Sequence, residues 1–114
     1  MTPKFRTWNS ETKEIEVFKT YEEISELFLA LSADDGFYSI MQSTGLFDLN
    51  GVEIFEGDIV RFFDSLYTVF YDIKEGSYRL KPHDDRWVVD YMSNFSSEES
   101  FEIVGNIYEN KEQL

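Results

Sequence analysis

The chain has 114 residues, a formal net charge of −13 and no cysteine. A surface this acidic repels nucleic-acid phosphates and anionic membranes, which proteins bind chiefly through clustered Lys and Arg, so direct binding to either is disfavoured. The missing cysteine excludes disulfides, thiolate catalysis and thiolate metal ligands, and no apolar run approaches the roughly 18 residues that a membrane-spanning helix needs.

The composition predicts one folded domain over residues 1–114. Hydrophobic residues make up 42% of the chain and aromatic residues 18%, too many for a disordered protein. A chain of this length buries a single modest core, and not all of its rings fit inside it. We expect a soluble cytoplasmic protein in which some rings reach the surface and contact a partner or a second subunit.

An N-terminal β-hairpin is the first predicted element. Side chains alternate with a period of two over Lys4–Asn9 and again over Ile15–Phe18, which is typical of strands. The polar residues 10–14 between them predict the connecting loop.

The hydrophobic period then changes to that of an amphipathic helix. Apolar residues on one helical face are Tyr21, Ile24, Leu27, Phe28 and Leu31. Thr20 followed by Glu23 is a capping-box pattern, so we expect a helical segment over about residues 20–33 that ends at residues 34–36. If Leu29 and Leu31 are not both buried, the second face of this helix is a candidate partner surface.

The rest of the chain, about residues 37–110, predicts a barrel-like sheet. The apolar runs that predict strands are Phe37–Gln42, Val52–Phe55, Ile59–Phe63, Tyr67–Tyr71, Tyr78–Leu80 and Phe101–Tyr108. Residues 45–50 and 93–100 predict loops, and residues 87–92 predict either a strand or a loop. Asn50 and Gly51 predict a two-residue type I′ turn, because both tolerate the positive φ that this turn needs.

The expected fold class is therefore mainly β, a β-rich α+β protein. It consists of a small SH3-like, partly open barrel or meander, an N-terminal hairpin and one amphipathic helix. The SH3-like part is a fold analogy, drawn from residues 57–60 opening a strand that leads into a meander, and it says little about function.

Three separated segments carry a common pattern: KFRTWNSETKE at residues 4–14, MQSTGLFDLNGVEIFEGDIV at residues 41–60 and EIVGNIYEN at residues 102–110. Together these signature segments resemble the YopX-like family of phage and prophage proteins. The resemblance implies a small, mostly β protein encoded on mobile bacterial elements, with no defined enzymatic role and no catalytic residues to carry over.

The positions shared with this family are interpreted as structural. Glycines are expected where turns or close approach require them, and short polar side chains where they can accept a hydrogen bond from a nearby backbone N–H. These positions are Gly45, Asp48, Asn50, Gly51, Gly57, Asp58, Gly105 and Asn106. Gly105 is also a candidate β-bulge or point of close approach in the last strand.

His83 is the one residue that suggests acid–base or metal chemistry. It is the single histidine and stands beside Asp84 and Asp85, an arrangement that suits a general base or a metal ligand. No second histidine or cysteine completes a site, and the preceding Pro82 and the neighbouring charges indicate a solvated turn instead.

Residues 48–53 superficially resemble a calcium loop. Gly51 arrives too early for an EF-hand, which needs a third ligand before its glycine. Glu53, Glu56 and Asp58 leave a weak divalent site open as an alternative. Catalytic, cofactor-binding and metal-binding residues are otherwise all predicted to be absent.

The aromatic residues raise the alternative of a stacking platform for nucleic-acid bases. The candidates are Trp8, Phe37, Tyr38, Phe62, Phe63, Tyr67, Phe70, Tyr71, Tyr78 and Trp87. Such a platform needs a positive groove. The cations between residues 57 and 100 are only Arg61, Lys74, Arg79, Lys81 and Arg86. Roles in the core and in subunit contacts are favoured.

The leading hypothesis is an uncharacterised phage or prophage accessory protein that acts by protein–protein contact, as a homo-oligomer and without enzymatic activity. Its other partner would be a host or phage protein. An alternative is an acidic mimic of nucleic acid that inhibits a host DNA-binding protein. A third reading is an enzyme with carboxylate-bound Mg²⁺.

Overall fold

The computed structural model describes residues 4–31, 38–84, 90–91 and 101–109. The chain divides into two compact units, residues 1–43 and 44–114, and each is described by itself. The single domain over residues 1–114 stays a prediction.

The predicted N-terminal hairpin is confirmed in the first unit. Strand β1 (Phe5–Asn9) pairs antiparallel with β2 (Glu14–Phe18) on one side and with β3 (Tyr38–Phe47) on the other. The Asn9 side chain closes the hairpin turn by accepting hydrogen bonds from the backbone N–H groups of residues 11 and 12. β3 runs past residue 43 into the second unit, where it borders β4.

Helix α1 (Tyr21–Leu31) begins at the predicted capping box. The Glu23 N–H donates to Thr20 Oγ1 at 3.1 Å, and the Thr20 hydroxyl donates to the Glu23 carboxylate at 3.1 Å. Ile24 and Leu27 are buried, whereas Leu29 is exposed. The helix end expected at residues 34–36 lies outside the described residues. Among the residues that the structure describes, no helix is long and apolar enough to span a membrane.

A five-stranded antiparallel sheet forms the second unit, in the order β8-β7-β6-β5-β9, and curls into a half-barrel. The strands introduced here are β4 (Glu53–Phe55), β5 (Asp58–Phe62), β6 (Ser65–Asp72), β7 (Ser77–Pro82), β8 (Asp90–Tyr91) and β9 (Phe101–Asn106). The buried core cluster consists of Ile54, Val60, Val69, Leu80 and Phe101. The expected mainly β fold class is confirmed.

Several boundaries differ from the sequence prediction. The loop expected at residues 45–50 is wrong at its start, because β3 continues through Gly45 to Phe47. The Thr44 hydroxyl bonds this continuation to β4, because it donates to the Ile54 carbonyl at 2.7 Å, and it also accepts the Leu46 N–H at 3.1 Å. Phe63, expected inside a strand, lies in the turn after β5.

The predicted bulge near Gly105 is confirmed. Gly105 pairs with Ile59 and Ile103 pairs with Val60, so Val104 is an extra residue on β9. β9 ends at Asn106 rather than at residue 108. The loop predicted over residues 93–100 lies outside the described part of the chain.

Candidate functional site

Asp48 is a buried carboxylate that joins two distant segments. Its side chain is 4% exposed. Oδ1 accepts the backbone N–H groups of Asn50 and Val52, each at 2.9 Å, and Oδ2 accepts the Ile103 N–H at 3.1 Å. Hydrogen bonds to a charged acceptor are stronger than neutral ones. One side chain therefore fastens the turn after β3 to strand β9.

The turn held by Asp48 is not the predicted type I′ turn. That turn needs positive φ at both central residues, but among the described non-glycine residues positive φ occurs only at Lys13 and Phe63, and not at Asn50. The Gly51 N–H donates to the Asp48 carbonyl at 3.0 Å, and the Asp48 N–H donates to the Val52 carbonyl at 2.8 Å. This is a three-residue hairpin loop with a single left-handed residue.

The reason for the difference is the Asp48 side chain. By accepting the Asn50 N–H it stabilises a turn in which Asn50 keeps negative φ. Gly51 alone has positive φ, at 78°, and a Cβ built there would meet nothing within 4 Å. Glycine is therefore needed at position 51 for its backbone conformation and not for space.

Asp58 and Asn106 form a second pair of buried polar residues, opposite each other on β5 and β9. Asp58 is 1% exposed, and its Oδ2 accepts the Phe55 N–H at 2.8 Å. Asn106 Oδ1 accepts the N–H groups of Tyr108 and Glu109 at 3.0 and 2.9 Å. Each side chain therefore holds the turn beside its own strand.

Gly57 connects the same region to two further elements. Its N–H donates to the Val69 carbonyl at 2.8 Å, and its carbonyl accepts the Ile107 N–H at 2.9 Å. The Leu49 N–H donates to the Phe101 carbonyl at 2.9 Å, which adds a backbone bond to the link made by Asp48. These bonds bring the central and C-terminal signature segments together, and we name the set of Asp48, Gly57, Asp58 and Asn106 the signature junction.

The side chains of the signature junction serve a structural role. Its carboxylates face backbone N–H donors, and Asp48 Oδ1 already accepts two of them. Within residues 4–31, 38–84, 90–91 and 101–109, no group of three or more His, Asp or Glu side chains is placed to hold a metal ion. Of the three acids considered for a weak divalent site, Asp58 is buried and turned toward Phe55.

His83 lies in a bend directly after β7, as expected, but it is not fully solvated. The residue is half-buried, its N–H donates to the Leu66 carbonyl at 3.0 Å, and its Nε2 lies 2.8 Å from Thr68 Oγ1. Burial lowers the pKa of His83, and the nearby Lys81 charge lowers it further. A neutral imidazole therefore links the end of β7 to β6. Asp85 lies outside the described residues.

Two of the five cations considered for a base-stacking platform are paired with carboxylates. Arg61 binds Glu102, and Arg79 binds Asp72 at 2.9 Å. The Arg79 guanidinium holds the pKa of Asp72 below its usual range. These pairs reduce the positive charge that a phosphate backbone would need, which argues against the platform.

Several of the candidate rings belong to the core instead. Phe62, Tyr67 and Tyr78 pack against the buried cluster. The Tyr71 and Tyr78 rings meet edge to face, with centroids 5.2 Å apart. Burial, together with the Glu56 charge and Tyr71, raises the pKa of Tyr78 to about 12. Two candidates, Phe37 and Trp87, lie outside the described residues.

A family model described as YopX protein matches residues 4–114. The chain belongs to the YopX family. It is also similar to a solved structure, the crystal structure of protein EF1440 from Enterococcus faecalis, at 26% sequence identity and a TM-score of 0.64. That similarity covers 100% of this chain and 99% of the other. No curated protein matches the chain.

In this YopX chain two polar side chains, Asp48 and His83, have partners that no short sequence pattern could have placed. Asp48 and Ile103 are 55 positions apart in the sequence, and Thr68 and His83 are 15 apart. Sequence reasoning missed Thr68 altogether, because a lone threonine in a strand carries no signal. It also missed the positive φ of Phe63, since phenylalanine is not a turn residue.

Proposed function

We propose that this YopX-family protein is a non-enzymatic accessory protein that acts by protein–protein contact in a self-assembled state. The setting would be the cytoplasm of a bacterium carrying a phage or prophage, as the resemblance of the signature segments implies. The proposal is supported by the signature junction, whose side-chain oxygens accept hydrogen bonds from backbone N–H groups and therefore have little remaining capacity to bind a substrate or a metal ion.

The observation that carries the proposal is an apolar surface on the β3–β4 hairpin. Phe47, Leu49 and Val52 are each about half exposed within six residues of chain. Asp48 fastens this hairpin to β9, so the three side chains stand on an ordered backbone. Association through an ordered surface loses little conformational entropy, which favours a stable contact.

Co-purification of two forms of the chain tests self-assembly. A tagged and an untagged copy are expressed together, and the untagged copy should be recovered with the tagged one. Leu49→Lys should reduce that recovery, because it places a charge in the proposed contact while leaving the Leu49 backbone bond intact. Ile73→Lys is the matched control, since Ile73 is also exposed but lies in another turn.

Two results would contradict self-assembly through this hairpin. One is that the untagged native copy is not recovered at all. The other is that Leu49→Lys and Ile73→Lys reduce recovery equally, because the effect would then be one of charge alone.

The second candidate function is the acidic mimic of nucleic acid. It is favoured by exposed carboxylates in the first unit, Glu14 and Glu16 on β2 and Glu22 and Glu26 on α1. A pull-down from bacterial lysate, eluted with a salt gradient, separates the two functions. The mimic should release a nucleic-acid-binding protein at moderate salt, because ions screen such contacts, whereas an apolar contact should persist.

A further inference from the structure

Phe63 occupies a backbone position that phenylalanine seldom adopts. It is the first central residue of the two-residue turn between β5 and β6, whose flanking residues Phe62 and Ser65 are paired. Its φ is 55°, in the left-handed region where glycine and asparagine are preferred. The side chain is 80% exposed. The fold therefore gains little burial from a residue that strains its turn.

The Phe63 ring nevertheless packs against a neighbouring ring that itself contacts the core. The buried Phe101 ring lies 5.4 Å from that of Phe62, and the Phe62 ring lies 4.6 Å from that of Phe63, at 74° to it. Three rings thus lead from the core to the surface. A ring ordered in this way loses less rotamer freedom on binding than a free one, so it is preorganised as an anchor.

The charges around the turn narrow the choice of partner. Asp64, the other central residue, is exposed. The Arg61 charge is offset by Glu102 on the neighbouring strand. In a symmetric contact between two copies of this turn Asp64 would face another Asp64, and elsewhere a second copy would present a chain of net charge −13. Nucleic-acid phosphates would be repelled as well. A basic rim is the complement that this acidic turn favours.

We infer that Phe63 is an anchor that inserts into an apolar pocket of a different protein, and that the rim of this pocket carries Lys or Arg. The inference rests on the proposed function by protein–protein contact and names one contact residue for it. Strained backbone positions cluster at functional sites. Burial of the Phe63 ring in a complex would supply the apolar contact that the free fold does not give it.

Site-specific photocrosslinking in the full chain tests the anchor. Benzoylphenylalanine, a photoreactive aromatic residue, replaces Phe63, Leu49 or Ile73 in separate variants, which are irradiated in bacterial cells. Ile73, which is 89% exposed at the opposite end of β6, is the control. The expected result is a product at position 63 that contains a different protein and is absent at position 73.

The other outcomes overturn the inference in distinguishable ways. A product at position 63 with twice the chain mass would identify a second copy, and equal products at 63 and 73 would mean nonspecific labelling. Products at position 49 with none at position 63 would refute the inference that Phe63 is an anchor, while leaving the proposed function intact. The absence of products at both position 63 and position 49 would contradict the inference and the proposed function alike.

A stability measurement separates an anchor from a structural ring. Glycine adopts a φ of 55° without strain, so Phe63→Gly should leave the midpoint of thermal unfolding within about 3 °C of the native value or raise it. The same variant should bind the crosslinked partner at least about tenfold more weakly. A fall in the midpoint beyond that range would make the ring structural and overturn the inference.

Discussion

Replacing Asp48 by alanine should remove the side chain that joins the turn after β3 to strand β9. Three N–H groups lose their acceptor, and those of the exposed residues Asn50 and Val52 can turn to water, at a cost of about 1 kcal/mol each. Ile103 is half-buried, so the loss of its bond costs about 1–3 kcal/mol. We expect Asp48→Ala to lower the free energy of unfolding by about 3–5 kcal/mol, a large part of the 5–15 kcal/mol typical of small proteins.

Chemical denaturation measures this change, and two further variants calibrate it. Asp48→Asn keeps one acceptor oxygen, which serves either the turn or β9, so its loss should be about half as large. Asp64→Ala removes an exposed aspartate from the turn between β5 and β6 and should change stability by no more than about 0.5 kcal/mol. A loss below about 1 kcal/mol for Asp48→Ala would refute the role given to this carboxylate.

Three further predictions concern single side chains of the second unit. Because the pKa of His83 is lowered in the folded chain, the unfolded chain binds a proton first as the pH drops. The free energy of unfolding should therefore fall as the pH drops through about 6.5. Denaturation at two pH values measures this fall, which should be smaller in His83→Gln. Because the pKa of Tyr78 is raised to about 12 in the folded chain, the unfolded phenol ionises first, and stability should fall as the pH rises from about 10. In an absorbance titration of phenolate, Tyr78→Phe should lack the step near pH 12, and persistence of that step would contradict the assignment. Ser77 Oγ is buried without a hydrogen-bond partner among the described residues, so Ser77→Ala should keep the stability or raise it by about 0.5–1 kcal/mol, whereas a loss would point to a partner for the hydroxyl.

Local patterns predicted the elements whose stabilising contacts are themselves local. The alternation over residues 4–9 and 15–18 predicted the first hairpin, and the Thr20 and Glu23 spacing predicted the start of α1, since both depend on residues a few positions apart. The same reasoning failed at Asn50. There the dipeptide preference for a type I′ turn was overruled by a side chain two residues earlier.

The signature junction shows what sequence patterns leave out. The resemblance indicated that residues 41–60 and 102–110 matter, and the turn chemistry indicated that Asp48 would accept a nearby N–H. Neither indicated that the second oxygen of Asp48 would accept the Ile103 N–H, because that bond depends on how β9 pairs with β5. His83 was misjudged for a similar reason, since its partner Thr68 lies on another strand.

Light scattering on the purified chain tests the central claim, self-assembly through protein contact, most directly. The account predicts a particle mass at a fixed multiple of the 13.5 kDa chain, kept at high salt and reduced toward one chain by Leu49→Lys. A mass of one chain at every concentration would contradict it.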